Sequence, residues 1–268
     1  MVRVGERICK TIMGRSGIVS VDYAVNPYLG CEHGCVYCYA RFMLRMGHAG
    51  EEWGSFVDVK VNALERLRAE APRRRRGIVL LSSVTDPYQL LERRFVLTRG
   101  SLKILLDHQF PVQILTKSDL VLRDLDLLHR FDDCEVGLTI TTMDEEVRQI
   151  FEPRASTVRS RLKALRELSE AGVETYAFLG PLLPHLSEQG LESLLDELAE
   201  TAGRVIVDRL NIKCGNLPVI RRALSQHYTD MQPMFESAIS SGSSYYEGLK
   251  RRLAAMCWER GIPHDFCY

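Results

Sequence analysis

Short apolar runs rich in β-forming residues alternate along this chain with amphipathic helical stretches, and few folds accommodate that alternation. It is typical of a parallel sheet whose strands are connected by crossover helices. Six strands are predicted, at residues 22–28, 77–84, 111–116, 134–141, 173–180 and 204–212. The sixth leads into a predicted helical segment over 219–260. Six such units suit either an open doubly wound sheet or a partial barrel.

Two of the connecting stretches have the clearest helical periodicity. Over 156–171, Ser156 is the expected N-cap and Gly172 the expected stop. The apolar face of this helix consists of Val158, Leu162, Leu165 and Leu168. A second helix is predicted to begin at Ser187, with an apolar face of Leu191, Leu194, Leu195 and Leu198. Both faces are expected to pack on the sheet.

Composition excludes several classes of protein. The 268 residues have a formal net charge of zero, so no global charge draws the chain to nucleic acid or to an anionic membrane. The first twenty residues are broken by charge and glycine, which predicts neither a signal peptide nor a membrane anchor. Eight cysteines without a secretory signal indicate thiols in a reducing compartment. We therefore expect a cytoplasmic α/β protein without a membrane partner.

Polar segments follow every predicted strand. Because the carboxyl ends of parallel strands meet at one edge of a sheet, these segments are expected to lie together. The first is the cysteine-bearing stretch at 26–41, and the others are "SSVTDPYQ" (82–89), "TKSD" (116–119), "TTMDEE" (141–146), "GPLLPH" (180–185) and "KCGN" (213–216). The sequence thus predicts a functional site at this edge.

Three of the eight cysteines, Cys31, Cys35 and Cys38, fall within eight positions. Gly30 and Gly34 permit the tight turns that convergence on one metal centre needs. Structural zinc prefers four protein ligands, commonly in two C-x-x-C pairs, and the sequence has no second pair. An iron–sulfur cube with three cysteine ligands leaves one iron open for a substrate or cofactor. A zinc site and unrelated free thiols remain as alternatives.

The string "NPYLGCEHGCVYCYAR", with an aromatic residue directly before the third cysteine, resembles the radical SAM superfamily. With "SSVTDPYQLLER", "LTKSD", "FEPRAS" and "PLLP" in this order, it is similar to the spore photoproduct lyase-like branch over roughly residues 20–215. The resemblance implies an α/β fold, a partial (β/α)6 barrel. The expected organisation is an N-terminal extension (1–20), the barrel (21–216), and a C-terminal helical segment (217–268) packed on it.

The same resemblance implies a definite chemistry. Cys31, Cys35 and Cys38 would hold a [4Fe–4S] cluster whose open iron chelates S-adenosylmethionine (SAM). An electron from an external flavodoxin- or ferredoxin-like donor would cleave SAM to a 5′-deoxyadenosyl radical. The expected enzyme is a radical SAM lyase or DNA-repair-like protein acting on a nucleic-acid base or nucleotide. The alternatives are modification of a peptide or small metabolite, and an iron–sulfur or zinc protein without SAM chemistry.

Residues at two positions are expected to contact SAM directly. Tyr37 lies where the family places an aromatic residue against the adenine, and the alternative is ordinary packing under the loop. Lys117 ends the third strand and is expected to pair with the SAM carboxylate, the alternative being a solvated lysine.

Hydroxyl and carboxyl groups near the strand ends are further SAM candidates. At least one of the four residues after the second strand is expected to touch SAM or substrate: Ser82, Ser83, Thr85 and Asp86. A structural Asp–Pro turn is the alternative for Asp86. Thr139 and Thr141 are two residues apart on a strand, so they point the same way. They either bind SAM or serve only as β-forming residues.

One position departs from the related lyases. Ser83 aligns with the cysteine that returns a hydrogen atom to the product radical in those enzymes, and an O–H bond is too strong for that role. Cys214, expected at the end of the sixth strand, is a candidate substitute. Its alternative is a small buried apolar residue.

Charged residues elsewhere have simpler interpretations. The run "PRRRRG" (72–77) precedes the second strand, which predicts a solvated loop at the edge opposite the cysteines. Arg93 and Arg94 are on the cysteine side and are candidates for phosphate contact. Glu152 and Arg154 are expected to form an ion pair, and His33 is expected at the surface.

Overall fold

A computed structural model describes residues 2–268 of the chain. The strands are β1 (Arg3–Arg7), β2 (Met13–Arg15), β3 (Tyr23–Val25), β4 (Tyr28–Leu29), β5 (Phe56–Lys60), β6 (Val79–Leu81), β7 (Val112–Thr116), β8 (Cys134–Thr139), β9 (Glu174–Leu182), β10 (Arg204–Arg209) and β11 (His264–Phe266). The α-helices are α1 (Ala63–Glu70), α2 (Glu92–Phe95), α3 (Leu97–Asp107), α4 (Leu125–Leu128), α5 (Glu145–Phe151), α6 (Val158–Glu170), α7 (Leu191–Thr201), α8 (Leu217–His227), α9 (Gln232–Ile239) and α10 (Tyr245–Glu259). Short 3₁₀ helices cover Tyr39–Arg45, Ala71–Arg73, Asp119–Asp124 and Thr229–Met231.

Eight of these strands form the main sheet, in the order β2-β3-β6-β7-β8-β9-β10-β11. All pairs from β3 to β11 are parallel, and β2 pairs antiparallel with β3 at one edge. The predicted α/β fold with a mostly parallel sheet is confirmed, and the six predicted strands correspond to β3 and β6–β10. β11, a seventh parallel strand that pairs with β10, was not among the predicted strands.

A second, three-stranded sheet has the order β1-β5-β4 and carries the chain to the cysteines. β4 ends two residues before Cys31. The first twenty residues are part of the sheets, because β1 pairs with β5 and β2 pairs with β3. The N-terminal extension therefore contributes a strand to each sheet.

The helices cover the sheet with the apolar faces that their periodicity predicts. The four face residues of α6 and the four leucines of α7 are all buried. The predicted N-cap of α6 is wrong: Thr157 accepts the Ser160 N–H at 3.1 Å, whereas the Ser156 hydroxyl binds Asp119. The predicted start of α7 is also wrong, since Ser187 accepts the Leu183 N–H before the helix begins.

The C-terminal segment contains α8, α9 and α10 before it returns to the sheet as β11. α10 contacts both α7 and β11. The Tyr246 hydroxyl on α10 donates to the Leu182 carbonyl at the end of β9, at 2.8 Å. This segment is therefore fixed to the edge of the sheet where the strands end. In the part of the chain that the structure describes, no helix combines the length and apolar character that crossing a bilayer requires.

Candidate active site

The cysteine loop, residues 30–38, connects β4 to the 3₁₀ helix Tyr39–Arg45. Cys31 and Cys35 are buried and Cys38 is half-buried. Gly30 and Gly34 have φ angles of +86° and +63°, which confirms the turns that the sequence predicts there. A Cβ atom on Gly54 would lie 2.6 Å from the Gly34 Cα, so a second segment passes directly against the loop.

The loop that follows β6 is hydrogen-bonded to the cysteine loop along its length. The Thr85 hydroxyl donates to the Gly30 carbonyl at 2.7 Å. The Gln89 side-chain oxygen accepts the Glu32 N–H at 2.9 Å, and the Glu32 carboxylate in turn accepts the Leu91 N–H. Much of the "SSVTDPYQLLER" motif therefore supports the cysteine loop.

The opposite side of the cysteine loop is held by residues distant in sequence. Arg154 donates to the Gly54 carbonyl at 2.7 Å, so the predicted Glu152–Arg154 ion pair is wrong. The Asn216 side chain, fully buried, donates to the carbonyls of Tyr37 and Asn211, each at 2.8 Å. This amide joins the cysteine loop to the loop that follows β10.

A buried ion pair lies beneath the cysteine loop. The partner of Glu152 is Arg161 of α6, and both side chains are about 1% exposed. The Glu152 carboxylate also accepts from the hydroxyls of Tyr37 and Thr141. Arg161 satisfies its remaining nitrogens with the carbonyls of Ser156 and Thr139, each at 2.8 Å. The pair is thus fully hydrogen-bonded, which a buried pair requires.

Arg161 was not among the predicted site residues, although the sequence contains a signal for it. Arg161 stands between Val158 and Leu162 on the apolar face of α6. A charged residue on a face that must be buried requires a buried partner of opposite charge. The position of that partner, nine residues earlier, depended on the tertiary fold.

Electrostatics favour the ionised form of Glu152. Burial alone would raise the pKa of its carboxyl group. The cations of Arg161 and Lys117 and the two hydroxyl donors outweigh burial and lower the pKa to about 2. The Glu152 side chain is therefore a carboxylate at neutral pH.

The three thiols lie in surroundings that disfavour a free thiolate. Burial raises the pKa of Cys31 to about 12, with Asp86 and Cys38 adding to the effect. Burial likewise raises the pKa of Cys35 and of Cys38, against the opposing effect of the Lys117 ammonium on both. A bound metal centre would supply the positive charge that three thiolates need here.

Tyr37 and Lys117 are adjacent beneath the cysteine loop. Tyr37 is buried with its hydroxyl on Glu152, and the Lys117 ammonium lies 5.8 Å from the centre of its ring. Burial alone would lower the pKa of Lys117, but the Cys35 sulfur and two nearby carboxylates raise it. No hydrogen bond or ion pair occupies this ammonium within residues 2–268. The contacts with adenine and the SAM carboxylate stay predictions.

The four candidates after β6 differ in how many of their polar atoms are already bonded. Asp86 accepts from the Thr116 hydroxyl and the Lys117 N–H at 2.6 and 2.8 Å, so it acts as a structural brace. Ser83 and Thr85 are bonded to Asn26 and Gly30. Ser82 alone has a buried hydroxyl with no partner in the described chain.

The remaining polar candidates are also buried. Thr141 is committed to Glu152, whereas the Thr139 carbonyl accepts from Arg161. His33 is only 2% exposed, so the predicted surface position is wrong. Burial lowers the pKa of His33, although Asp86, 3.4 Å from Nδ1, acts in the opposite direction. The segment between Cys31 and Cys35 folds inward and carries His33 with it.

Several buried polar atoms around the cysteine loop have no hydrogen-bond partner in the described chain. They indicate whether a cofactor fits there. Residues 2–268 hold eight buried side-chain N or O atoms without a hydrogen bond. Four of them surround or belong to this loop: His33 Nδ1, Arg41 Nε, Trp53 Nε1 and Ser82 Oγ. Such atoms are rare in folded proteins and call for a partner. Three thiols with these donors around them fit a polar, sulfur-ligated group.

The arrangement of the cysteines differs from that of a single-ion site. Among the residues described, no three Cys, His, Asp or Glu side chains surround one metal-ion position. In a [4Fe–4S] cluster each cysteine binds a different iron atom, so a cluster does not require that arrangement.

Cys214 lies in the loop between β10 and α8, five residues beyond the end of the strand. It is exposed, so its alternative as a small buried apolar residue is wrong. Its φ angle is +55°, unusual for a residue with a side chain. Asn216, which binds the Tyr37 carbonyl, belongs to the same loop. Cys214 is therefore near the cysteine loop in the fold.

A cavity of about 560 Å³ opens beside this loop, at the carboxyl end of β10. Its walls include Asp208, Arg209, Lys213, Tyr246 and Tyr268. Neither Arg209 nor Lys213 makes an ion pair with any residue in 2–268, although the Arg209 guanidinium lies over the Tyr268 ring at 5.6 Å. The cavity therefore offers free positive charge and aromatic surface together.

Arginines elsewhere occupy the positions that the sequence predicts. Arg73 to Arg76 are exposed and precede β6, at the edge opposite the cysteine loop. Arg93 and Arg94 are exposed on α2, on the cysteine side, where Arg94 lies 4.9 Å from the Phe95 ring centre. Contact with phosphate stays a prediction for both.

Comparison with known proteins gives a family match over most of the chain. Residues 25–198 match the radical SAM superfamily. An uncharacterized protein of Methanocaldococcus jannaschii is 37% identical over 213 residues, which cover 80% of this chain and 79% of the relative.

Solved structures show the same fold. Spore photoproduct lyase complexed with dinucleoside spore photoproduct matches with a TM-score of 0.73 at 18% identity, covering 99% of this chain and 82% of that one. SuiB of Streptococcus suis bound to S-adenosylmethionine matches with a TM-score of 0.61 at 14% identity, covering 91% and 49%. A second SuiB structure, with the precursor peptide SuiA, has a TM-score of 0.59.

Replacing Arg161 by Met should lower the free energy of unfolding by about 3–5 kcal/mol, because it leaves the Glu152 carboxylate buried and unpaired.

Glu152 should also make stability depend on acid pH. Because its folded pKa is lowered, from 4.5 to about 2, its contribution is present above about pH 5 and is lost as pH falls toward 2. Urea unfolding between about pH 7 and 3 measures both effects.

Glu152→Gln should lose this part of the pH dependence, so its stability difference from the native chain should shrink on acidification. The matched control is Glu167→Gln on α6, the helix that carries Arg161, because its surface pair with Lys163 should contribute less than about 1 kcal/mol. Equal pH profiles for the native chain and Glu152→Gln would contradict the assignment.

Proposed function

The chain is an enzyme of the radical SAM superfamily, and we propose that it holds a [4Fe–4S] cluster on Cys31, Cys35 and Cys38 and acts on a nucleic-acid base or nucleotide. The observation that carries the cluster assignment is the set of three thiols in a loop surrounded by unpartnered buried donors. An open iron on such a cluster is the position at which SAM binds.

When bound, the cluster and SAM supply a 5′-deoxyadenosyl radical, with the electron delivered by an external flavodoxin- or ferredoxin-like protein. The chain's own residues bind and orient. Lys117 presents an ammonium with no partner in the described chain, suited to the SAM carboxylate. The free hydroxyl of Ser82 is suited to the SAM amino group. The Glu152 carboxylate accepts a hydrogen bond from the Tyr37 hydroxyl and so holds Tyr37 in place beside the Lys117 ammonium.

The cavity at the end of β10 supports a nucleotide as substrate. Arg209 and Lys213 suit phosphate oxygens, and the partly exposed Tyr268 ring suits stacking against a base. Asp208 can accept a hydrogen bond from a base amino group. A volume of about 560 Å³ accommodates a ligand of this size. Modification of a peptide is the second candidate, because SuiB, with a related fold, binds a precursor peptide.

Anaerobic loading with iron and sulfide should give a brown protein with about four irons per chain. With dithionite and SAM it should form 5′-deoxyadenosine, measured by chromatography. Replacing Cys31, Cys35 or Cys38 by Ala should reduce deoxyadenosine formation by about 100-fold or more, since each removes a cluster ligand. Cys9→Ser, outside the loop, is the control. Colourless protein, or variants as active as the control, would exclude the cluster assignment.

Single-stranded oligonucleotides should bind the loaded enzyme with an affinity that falls as salt rises. Arg209→Gln and Lys213→Gln should each weaken binding and reduce the slope of log affinity against log salt by about 0.7, because each removes one phosphate contact. Arg159→Gln, exposed on α6, is the matched control. Fluorescence anisotropy measures all four proteins. Binding of peptides but not of oligonucleotides would favour the second candidate.

Cys214 is proposed as the hydrogen-atom donor to the product radical, because Ser83 cannot take that role. Cys214→Ser should abolish product formation while 5′-deoxyadenosine still forms, because SAM cleavage precedes the hydrogen return. Both products can be quantified by mass spectrometry in one reaction, with Cys9→Ser again as the control. Unchanged product formation in Cys214→Ser would dismiss this role.

A further inference from the structure

Trp53 is a buried donor without an acceptor. The residue is 7% exposed, and its indole Nε1 makes no hydrogen bond with any residue from 2 to 268. A buried N–H left unpaired destabilises the folded state, so folded proteins rarely keep one. The surrounding apolar cluster contains Leu29, Cys31, Ala40, Met43 and Phe56, with Cys38 packed against it.

Sulfur atoms are the acceptors that this cluster offers to the indole. The Met43 sulfur already accepts the Gly30 N–H at 3.3 Å. The Cys38 side chain packs against this cluster, and the Trp53 N–H opposes the rise that burial causes in the Cys38 pKa. A neutral thiol is a weak acceptor, whereas a thiolate bound to iron is a much stronger one. Cluster loading would therefore give the indole its partner.

The position of the indole is fixed from several sides. Its ring meets the Phe56 ring edge-on at 6.2 Å, and Phe56 stacks on His48 at 3.7 Å. Next along the chain, Gly54 lies against Gly34 of the cysteine loop and is held by Arg154. The donor is thus in place before any cofactor binds, and orienting it costs no further ordering.

We propose that the indole N–H of Trp53 donates a hydrogen bond to the Cys38 sulfur when that sulfur ligates the cluster, and that this bond raises the reduction potential of the cluster. The inference rests on the proposed cluster ligation by Cys31, Cys35 and Cys38. Trp53 is a positioning residue, since it acts through Cys38.

The physical effect follows from charge. Reduction adds one electron, and part of the added negative charge resides on the cysteine sulfurs. A donor aimed at one of them stabilises the reduced form more than the oxidised form, so the potential rises. The Trp53→Phe substitution would keep an aromatic ring and remove the N–H, which isolates the hydrogen bond from the packing.

The test is an EPR-monitored redox titration of the loaded enzyme without SAM. Trp53→Phe should lower the ratio of reduced to oxidised cluster at a fixed potential by about three- to tenfold, roughly 30–60 mV for a one-electron couple. The matched control is Trp258→Phe, which changes the second tryptophan of the chain, 82% exposed. It should titrate as the native enzyme does.

A second measurement leaves Trp53 unchanged, so it remains informative if the Trp53→Phe protein fails to fold. In Trp258→Phe, Trp53 is the sole tryptophan. The ultraviolet resonance Raman band that reports indole N–H hydrogen bonding should shift when iron and sulfide are loaded, because the N–H gains an acceptor. In a Trp53→Phe protein that folds, the remaining tryptophan should show no such shift.

The outcomes separate this inference from the proposed function. A native enzyme that loads and cleaves SAM, with equal potentials in Trp53→Phe and Trp258→Phe, would overturn the role of Trp53 alone. An unchanged Raman band on loading would overturn it as well. A native chain that takes up no iron and sulfide would overturn both the cluster assignment and the hydrogen bond.

Discussion

The ion pair between Glu152 and Arg161 is the interaction on which the geometry of the site depends. It holds a charged carboxylate beneath the cysteine loop, where the low dielectric would otherwise neutralise or expel it. Through this carboxylate, α6 positions the Tyr37 hydroxyl, and Tyr37 directly precedes Cys38. Arg161 also binds the Thr139 carbonyl at the end of β8, so sheet, helix and loop meet at one point. A loop of glycines and thiols has little structure of its own, and this pair supplies a fixed base for it.

Most of the motif residues around the cysteines act by supporting that loop. Asn26 binds the chain just after β6, Gln89 binds the Glu32 N–H, and Asn216 binds the Tyr37 carbonyl. Each is a short polar side chain that satisfies backbone groups where strands have ended and no ladder partner remains. A loop that is buried and irregular needs such partners at many points. Asn26, Gln89 and Asn216 therefore offset the cost of burying the loop backbone.

The sheet could be predicted from the sequence because strand and helix periodicity are local properties. The leucine faces of α6 and α7 and all six predicted strands depend on residues within about ten positions of one another. What the sequence did not reveal depends on contacts across the fold: the Glu152–Arg161 pair, the burial of His33, and β11, whose three residues become a strand only because β10 is beside them. The shift of the α6 cap from Ser156 to Thr157 has the same origin, since Asp119 from another segment binds Ser156.

Hydrogen-bond partners distinguish candidate ligand-binding residues that composition alone does not distinguish. Ser82 and Asp86 are both polar, both buried and both at the end of β6, so sequence reasoning treats them alike. The Asp86 carboxylate accepts hydrogen bonds from Thr116, Lys117 and Tyr88. A ligand that displaced those bonds would have to replace them. Within residues 2–268 the Ser82 hydroxyl makes no hydrogen bond that a ligand would have to displace, and the same is true of the Trp53 indole N–H. Four of the eight unpartnered buried atoms within residues 2–268 lie around the cysteine loop, and they indicate the surface that a cofactor would complete.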